Sequence, residues 1–77
     1  LTTAFDDLLA AGRTRRRLPE PAVRRFLRER AGLSQAAVAT YLEVTRPAVT
    51  LWEAGKRTPR GPKLAAYNDL LDRLARE

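Results

Sequence analysis

The sequence predicts an all-α domain of about five short helices packed as a compact bundle. Apolar residues recur three and four positions apart, and no stretch alternates apolar with polar as a half-buried strand would. Each periodic stretch also opens on Ser, Thr or Pro and most close at Gly, the residues that start and stop helices. At 77 residues the chain makes one domain, near the lower size at which a hydrophobic core alone offsets conformational entropy.

The first helix is expected over residues 1–12, AFDDLLAAG after a Thr2-Thr3 cap. Asp6 and Asp7 favour its positive N-terminal end, Phe5, Leu8 and Leu9 form its stripe, and Gly12 ends it. Residues 13–20 then read RTRRRLPE, too charged to pack, and are expected to form an extended basic arm. Pro21 suits the first turn of a second helix whose Val23, Phe26 and Leu27 share a face and whose stop is Gly32. Ser34 caps a third, SQAAVATYL, with Val38, Ala39 and Leu42 inward. After a break at Glu43 to Thr45, Thr45 caps a fourth over residues 46–54. Pro47 is tolerated there because it lies in the first turn, and Gly55 supplies the stop. Past the loop KRTPRG, Pro62 opens a last helix to residue 76, with Leu64, Tyr67, Leu70, Leu71 and Leu74 on one side.

Two of these helices are joined by a three-residue break in LSQAAVATYLEVTRPAVTLWEAGKR, which is a helix-turn-helix arrangement. Val38, Leu42, Val44, Val49 and Trp52 supply its shared core, and small Ala39 lets the second helix approach. With Val49 and Trp52 inward, the helical period turns Arg46, Pro47, Thr50 and Leu51 outward. A globular domain gains little by exposing Pro and Leu there.

Composition narrows the chemistry. There is no Cys, so no disulfide, thiolate nucleophile or Cys-based zinc site, and a reducing compartment is the natural setting. There is no His either, and Asp69–Arg73 and Asp72–Arg76 read as exposed helical ion pairs rather than as catalytic carboxylates. No enzyme activity, cofactor or metal is therefore expected. Charges or Pro interrupt every apolar run, so no membrane partner is expected and a cytoplasmic protein is. The net charge of +6 is unevenly placed: residues 13–30 carry +6 and residues 45–63 carry +4. Two basic stretches suit a polyanion if the fold brings them together, although solvated surface charge would read alike.

The segments Leu33-Ser34-Gln35, Val38-Ala39, Val44-Thr45-Arg46 and Trp52-Glu53-Ala54-Gly55-Lys56-Arg57 resemble the Cro/C1-type (XRE) helix-turn-helix family of phage and bacterial regulators. The resemblance covers about residues 23–60. It implies a lambda-repressor-like fold and binding of double-stranded DNA. The second motif helix would lie in the major groove, with homodimers on palindromic operators.

Carried over by position, the resemblance makes Arg46, Pro47, Thr50 and Leu51 base readers. Arg46 suits guanine, Thr50 offers a hydroxyl or a methyl, and Leu51 suits a thymine methyl. Gln35, Thr45, Lys56, Arg57, Thr58 and Arg60 become DNA-backbone contacts. Arg28 and Glu53 match positions that form a structural ion pair, and Trp52 anchors the reading helix. Three departures stand out: Glu43 replaces the usual Gly of the turn, one helix from Pro62 replaces two short ones, and the N-terminal helix is extra. Phe5, Leu8 and Leu9 are expected to pack on the C-terminal helix, either in the same chain or across a dimer, and with Leu71 and Leu74 they are the expected dimer or partner-protein surface. Arg13, Arg15, Arg16 and Arg17 fit a minor-groove arm, a solvated linker, or a contact to RNA or an acidic protein. The functional expectation is a repressor, with an antitoxin or other partner-binding regulator as the alternative.

Overall fold

The computed structural model describes residues 18–77, so the expected N-terminal helix and Arg13 to Arg17 lie outside the described residues. Four helices follow in order: α1 (Pro21–Arg30), α2 (Gln35–Leu42), α3 (Arg46–Glu53) and α4 (Pro62–Arg76). All begin and end within about two residues of their sequence-predicted bounds; α3 stops at Glu53 with Ala54 as its cap.

The capping chemistry follows the residues. Ser34 Oγ accepts from the Ala37 N–H at 2.9 Å and Thr45 Oγ1 from the Ala48 N–H at 3.3 Å, each satisfying a first-turn donor. Pro21 and Pro62 stand at the first helical positions of α1 and α4, where no N–H is needed.

Three helices end in the same hydrogen-bonded reversal. After α1, Gly32 N–H donates to Glu29 O and Leu33 N–H to Arg28 O; after α3, Gly55 N–H donates to Trp52 O and Lys56 N–H to Leu51 O. After α2 the pattern repeats with Glu43 N–H to Thr40 O and Val44 N–H to Ala39 O. Here the left-handed residue is Glu43, at φ 57°. A left-handed non-glycine residue costs about 1–2 kcal/mol, offset in part by the lower unfolded-state entropy of a side-chain-bearing residue. Since Glu43 is exposed, Glu43→Gly is expected to stabilise the domain by roughly 0.5–1 kcal/mol without altering α2 or α3. Urea unfolding of the two proteins measures this, and a destabilised variant would mean that the Glu43 side chain makes a compensating contact.

Leu27, Val38, Ala39, Leu42, Val49, Trp52, Tyr67, Leu71 and Leu74 form one buried cluster, with Leu18, Leu33, Val44, Ala48 and Leu70 packed against it. α2 packs mainly on α3, while α1 lies against both α3 and α4. Trp52 meets Tyr67 of α4 with ring centroids 4.8 Å apart and planes tilted 42°. α3 is thereby tied to α4, the longest helix among the described residues.

Two expectations change. Leu71 and Leu74 are 2% and 9% exposed, so they belong to this chain's own core and present nothing to a second chain. The apolar face of α1 is also turned: Val23 and Phe26 are 42% and 58% exposed, whereas Arg24, Leu27 and Arg28 face inward. Periodicity favours Val and Phe for that face, but the two arginines find polar partners in the interior and displace them. Phe26 is instead covered on one side by Arg30, whose guanidinium carbon lies 5.7 Å from the ring centroid. Asp69–Arg73 and Asp72–Arg76 form the expected exposed pairs along α4.

Tyr67 is 1% exposed and its hydroxyl finds no hydrogen-bond partner among the described residues. Burial pushes its pKa up to about 12; nearby Glu53 adds to the rise, and Arg24 and Arg28 oppose it. Below about pH 10, folded and unfolded chains both keep the phenolic proton. Between about pH 10 and 12 only the unfolded chain releases it, so stability should fall by roughly 2–3 kcal/mol as pH rises. Tyr67→Phe is expected to flatten that loss and to leave stability at pH 7 equal or raised by about 1 kcal/mol, because an unsatisfied hydroxyl is removed. Thermal unfolding of both proteins from pH 7 to 12 checks the sign, and parallel profiles would refute it.

Candidate nucleic-acid interface

The exposed side of α3 is defined by what holds its other side. Val49 and Trp52 are buried, and two arginines of α1 clamp the helix's far end. Arg24 Nη1 donates to Trp52 O at 3.0 Å while its Nε donates to Pro19 O at 2.6 Å. Arg24 thus adds a second donor to a C-terminal carbonyl of α3 that already accepts from the Gly55 N–H, and places positive charge where the helix dipole favours it. Sequence reasoning missed Arg24, which looks like one more surface arginine until its neighbours are known.

Arg28 makes the second clamp. Its Nε donates to Glu53 Oε2 at 2.6 Å, its Nη2 to Glu53 Oε1 at 3.0 Å, and its Nη1 to Leu33 O at 2.8 Å. The pair is two-pronged, and the two side chains are 10% and 5% exposed. The hydrogen bond to Glu53 is the main reason that the guanidinium pKa rises still further, against the opposing effect of burial.

The polar chain continues toward the surface. Gln35 Nε2 donates to Glu53 Oε1 at 3.1 Å, and Gln35 Oε1 accepts from Thr50 Oγ1 at 2.9 Å. A carboxylate only accepts, so Glu53 fixes which end of the Gln35 amide faces it. Gln35 retains a second N–H for an external acceptor. The buried ion pair therefore orients Gln35, and Gln35 orients Thr50 on the exposed face of α3.

Around this chain the structure brings together most of the residues singled out by sequence. Arg46, Pro47, Thr50 and Leu51 line one shallow depression on α3. A neighbouring depression is lined by Arg25, Arg28, Ser34, Gln35, Arg46, Thr50 and Glu53, among others, joining α1 and the start of α2 to α3. Arg25 was not foreseen here: it sits on α1, exposed, with Glu29 as its ion-pair partner at 3.0 Å. Only tertiary packing reveals its closeness to Arg46.

The loop after α3 lines separate depressions, one of them shared with Ala48 and Trp52. Gly55 has φ 73°, and a Cβ there would meet Pro21 Cγ at 3.0 Å, so this turn needs glycine for both conformation and space. Lys56, Arg57, Thr58 and Arg60 are all exposed, while Pro59 between them is buried and fixes the loop to the body of the domain. Lys63 is used differently: its Nζ donates to Leu42 O at 2.6 Å and closes the end of α2.

The geometry is that of two short helices joined by a tight turn, the second exposed along one side and flanked by cations. A family model described as Helix-turn-helix matches residues 25–75. The chain belongs to the Cro/C1-type helix-turn-helix family. Searches of curated proteins and of solved structures found no match.

As a member of this family it is a DNA-binding transcription regulator, and α3 is the second helix of its helix-turn-helix. Its eight residues span about 12 Å, comparable with the roughly 12 Å width of a B-DNA major groove. Among the described residues no helix is long and apolar enough to cross a membrane, and no group of three or more His, Cys, Asp or Glu is placed to hold a metal ion.

Proposed function

We propose that this regulator is a repressor that occupies a palindromic operator as a homodimer, with α3 of each protomer in the major groove. Support comes chiefly from one observation: the exposed face of α3 carries Arg46, Pro47, Thr50 and Leu51, while its opposite face is anchored by Trp52 and the Arg28–Glu53 pair. Arg46 reads guanine through O6 and N7. Gln35, through its second amide N–H, and Thr45, Lys56, Arg57, Thr58 and Arg60 meet phosphates on either side of the groove. These contacts set register and orientation without specifying sequence. Arg25 joins them, since it borders the same depression as Arg46.

Binding sites selected from a random duplex library test this reading. The expected product is a palindrome whose half-sites are spaced about one helical turn or a multiple apart, bound with strong salt dependence. An enriched but unrepeated half-site would refute the dimer, and salt-sensitive binding with no enriched sequence would refute specific recognition. Repression itself is tested by placing the selected site across a promoter, where lower transcription is expected and higher transcription would make the protein an activator.

A further inference from the structure

Thr50 carries both a hydroxyl and a methyl, and the structure decides which of them faces outward. Its Oγ1 donates to Gln35 Oε1 at 2.9 Å and also lies 3.2 Å from Arg46 O, one turn earlier in α3. Both neighbours are acceptors, so the single hydroxyl proton is committed to the protein. Thr50 lines two depressions, one shared with Gln35 and Glu53, the other with Arg46, Pro47 and Leu51. The hydroxyl belongs to the first. The second is left with the Thr50 methyl, the Pro47 ring and the Leu51 side chain, and Arg46 is its one side chain able to donate hydrogen bonds.

We propose that the exposed face of α3 reads the 5-methyl group of a pyrimidine lying close to the guanine taken by Arg46. This rests on the operator-binding reading above and specifies its chemistry. In the major groove the C5 methyl is the apolar feature of thymine, and 5-methylcytosine presents the same group at the same place. A dent of three apolar side chains has no hydrogen-bond partner to offer a base edge, but it excludes water from a methyl group placed in it. Arg46 and Leu51 are five residues apart, roughly 7.5 Å along the helix, which corresponds to about two base-pair steps. The methyl read should therefore lie within two or three base pairs of the guanine.

The test uses the selected operator with each thymine replaced in turn by deoxyuridine, which keeps every hydrogen-bonding edge and loses only the methyl. One or two positions near the guanine are expected to weaken binding by about three- to fivefold each, as burial of one methyl-sized group implies; the others should not change. At such a position 5-methylcytosine should bind better than cytosine, which separates methyl reading from recognition of the A·T pair. Thr50→Ser keeps the hydroxyl and its bonds to Gln35 and Arg46 while removing the methyl. It should erase the thymine-over-uracil preference at one position, leaving the guanine preference and thermal unfolding unchanged. Leu51→Ala should act likewise at a neighbouring position, with its melting temperature recorded because Leu51 is half-buried.

An operator bound equally well with thymine and uracil throughout would overturn methyl reading and leave the regulator reading intact. A uracil effect that survives both substitutions would overturn it too, by assigning the methyl to other residues. Failure to select any operator would overturn the underlying reading and this one with it.

Discussion

Replacing Glu53 by Ala is expected to lower the unfolding free energy by about 3–5 kcal/mol, the effect of stranding one member of a buried ion pair. Arg28 would keep its bond to Leu33 O and its 3.8 Å approach to Glu29, but the two-pronged partner that neutralises it would be gone. Gln35 would lose its fixed acceptor in the same step. A domain of this length has roughly 4–12 kcal/mol of stability in total, so the variant should sit near the edge of folding. Trp52, the single and buried tryptophan, reports unfolding directly in urea.

The double variant Arg28→Met with Glu53→Leu separates two meanings of that loss. If the damage comes from an unpaired buried charge, the double variant should recover most of the stability, since apolar side chains of similar size tolerate the same site. It should nonetheless bind DNA less specifically, because Gln35 and Thr50 would no longer be oriented from behind. A single-variant loss below about 1 kcal/mol would class the pair with ordinary surface ion pairs and remove it as the anchor of α3.

Arg46→Ala is expected to cost about 1–3 kcal/mol of discrimination at one base pair of each half-site, or roughly five- to 150-fold against a site with the wrong base. Binding to unrelated DNA should change much less. Arg46→Lys should recover little of the preference, because an ammonium group lacks the planar two-pronged donor set that fits guanine. Competition binding at two salt concentrations makes the distinction. Uniform weakening across all sequences, with a shallower salt dependence, would instead make Arg46 a phosphate contact. The residue is exposed and bordered by both depressions, which suits the first outcome.

Much of this architecture is legible in the chain because its signals are local. Ser34 and Thr45 announce helix starts, Gly32 and Gly55 announce stops, and the 3.6-residue period of Val38, Leu42, Val49 and Trp52 orients the motif before any packing is known. The spacing of the helix-turn-helix residues carried the family as well. Glu43 stood out in the sequence as a departure from the usual Gly of the turn; the structure keeps the turn and places Glu43 at φ 57°.

Other features depend on partners far away in sequence. Arg24 and Arg28 interrupt the apolar pattern of α1, so periodicity alone chose Val23 and Phe26 for the interior. What brings the arginines inward is a carbonyl of Trp52, 28 positions away, and a carboxylate 25 positions away. Leu71 and Leu74 are likewise apolar residues that could have faced a partner; the packing of α1 and α2 against α4 buries them within the chain. By itself the sequence determined the helices, their caps and the outward face of α3, because helix period and capping act over a few residues. Only the tertiary structure decided which charges are buried, because a buried polar group is stable only beside a partner that the fold supplies, and which way the exposed Thr50 hydroxyl turns, because its acceptor Gln35 lies on another helix.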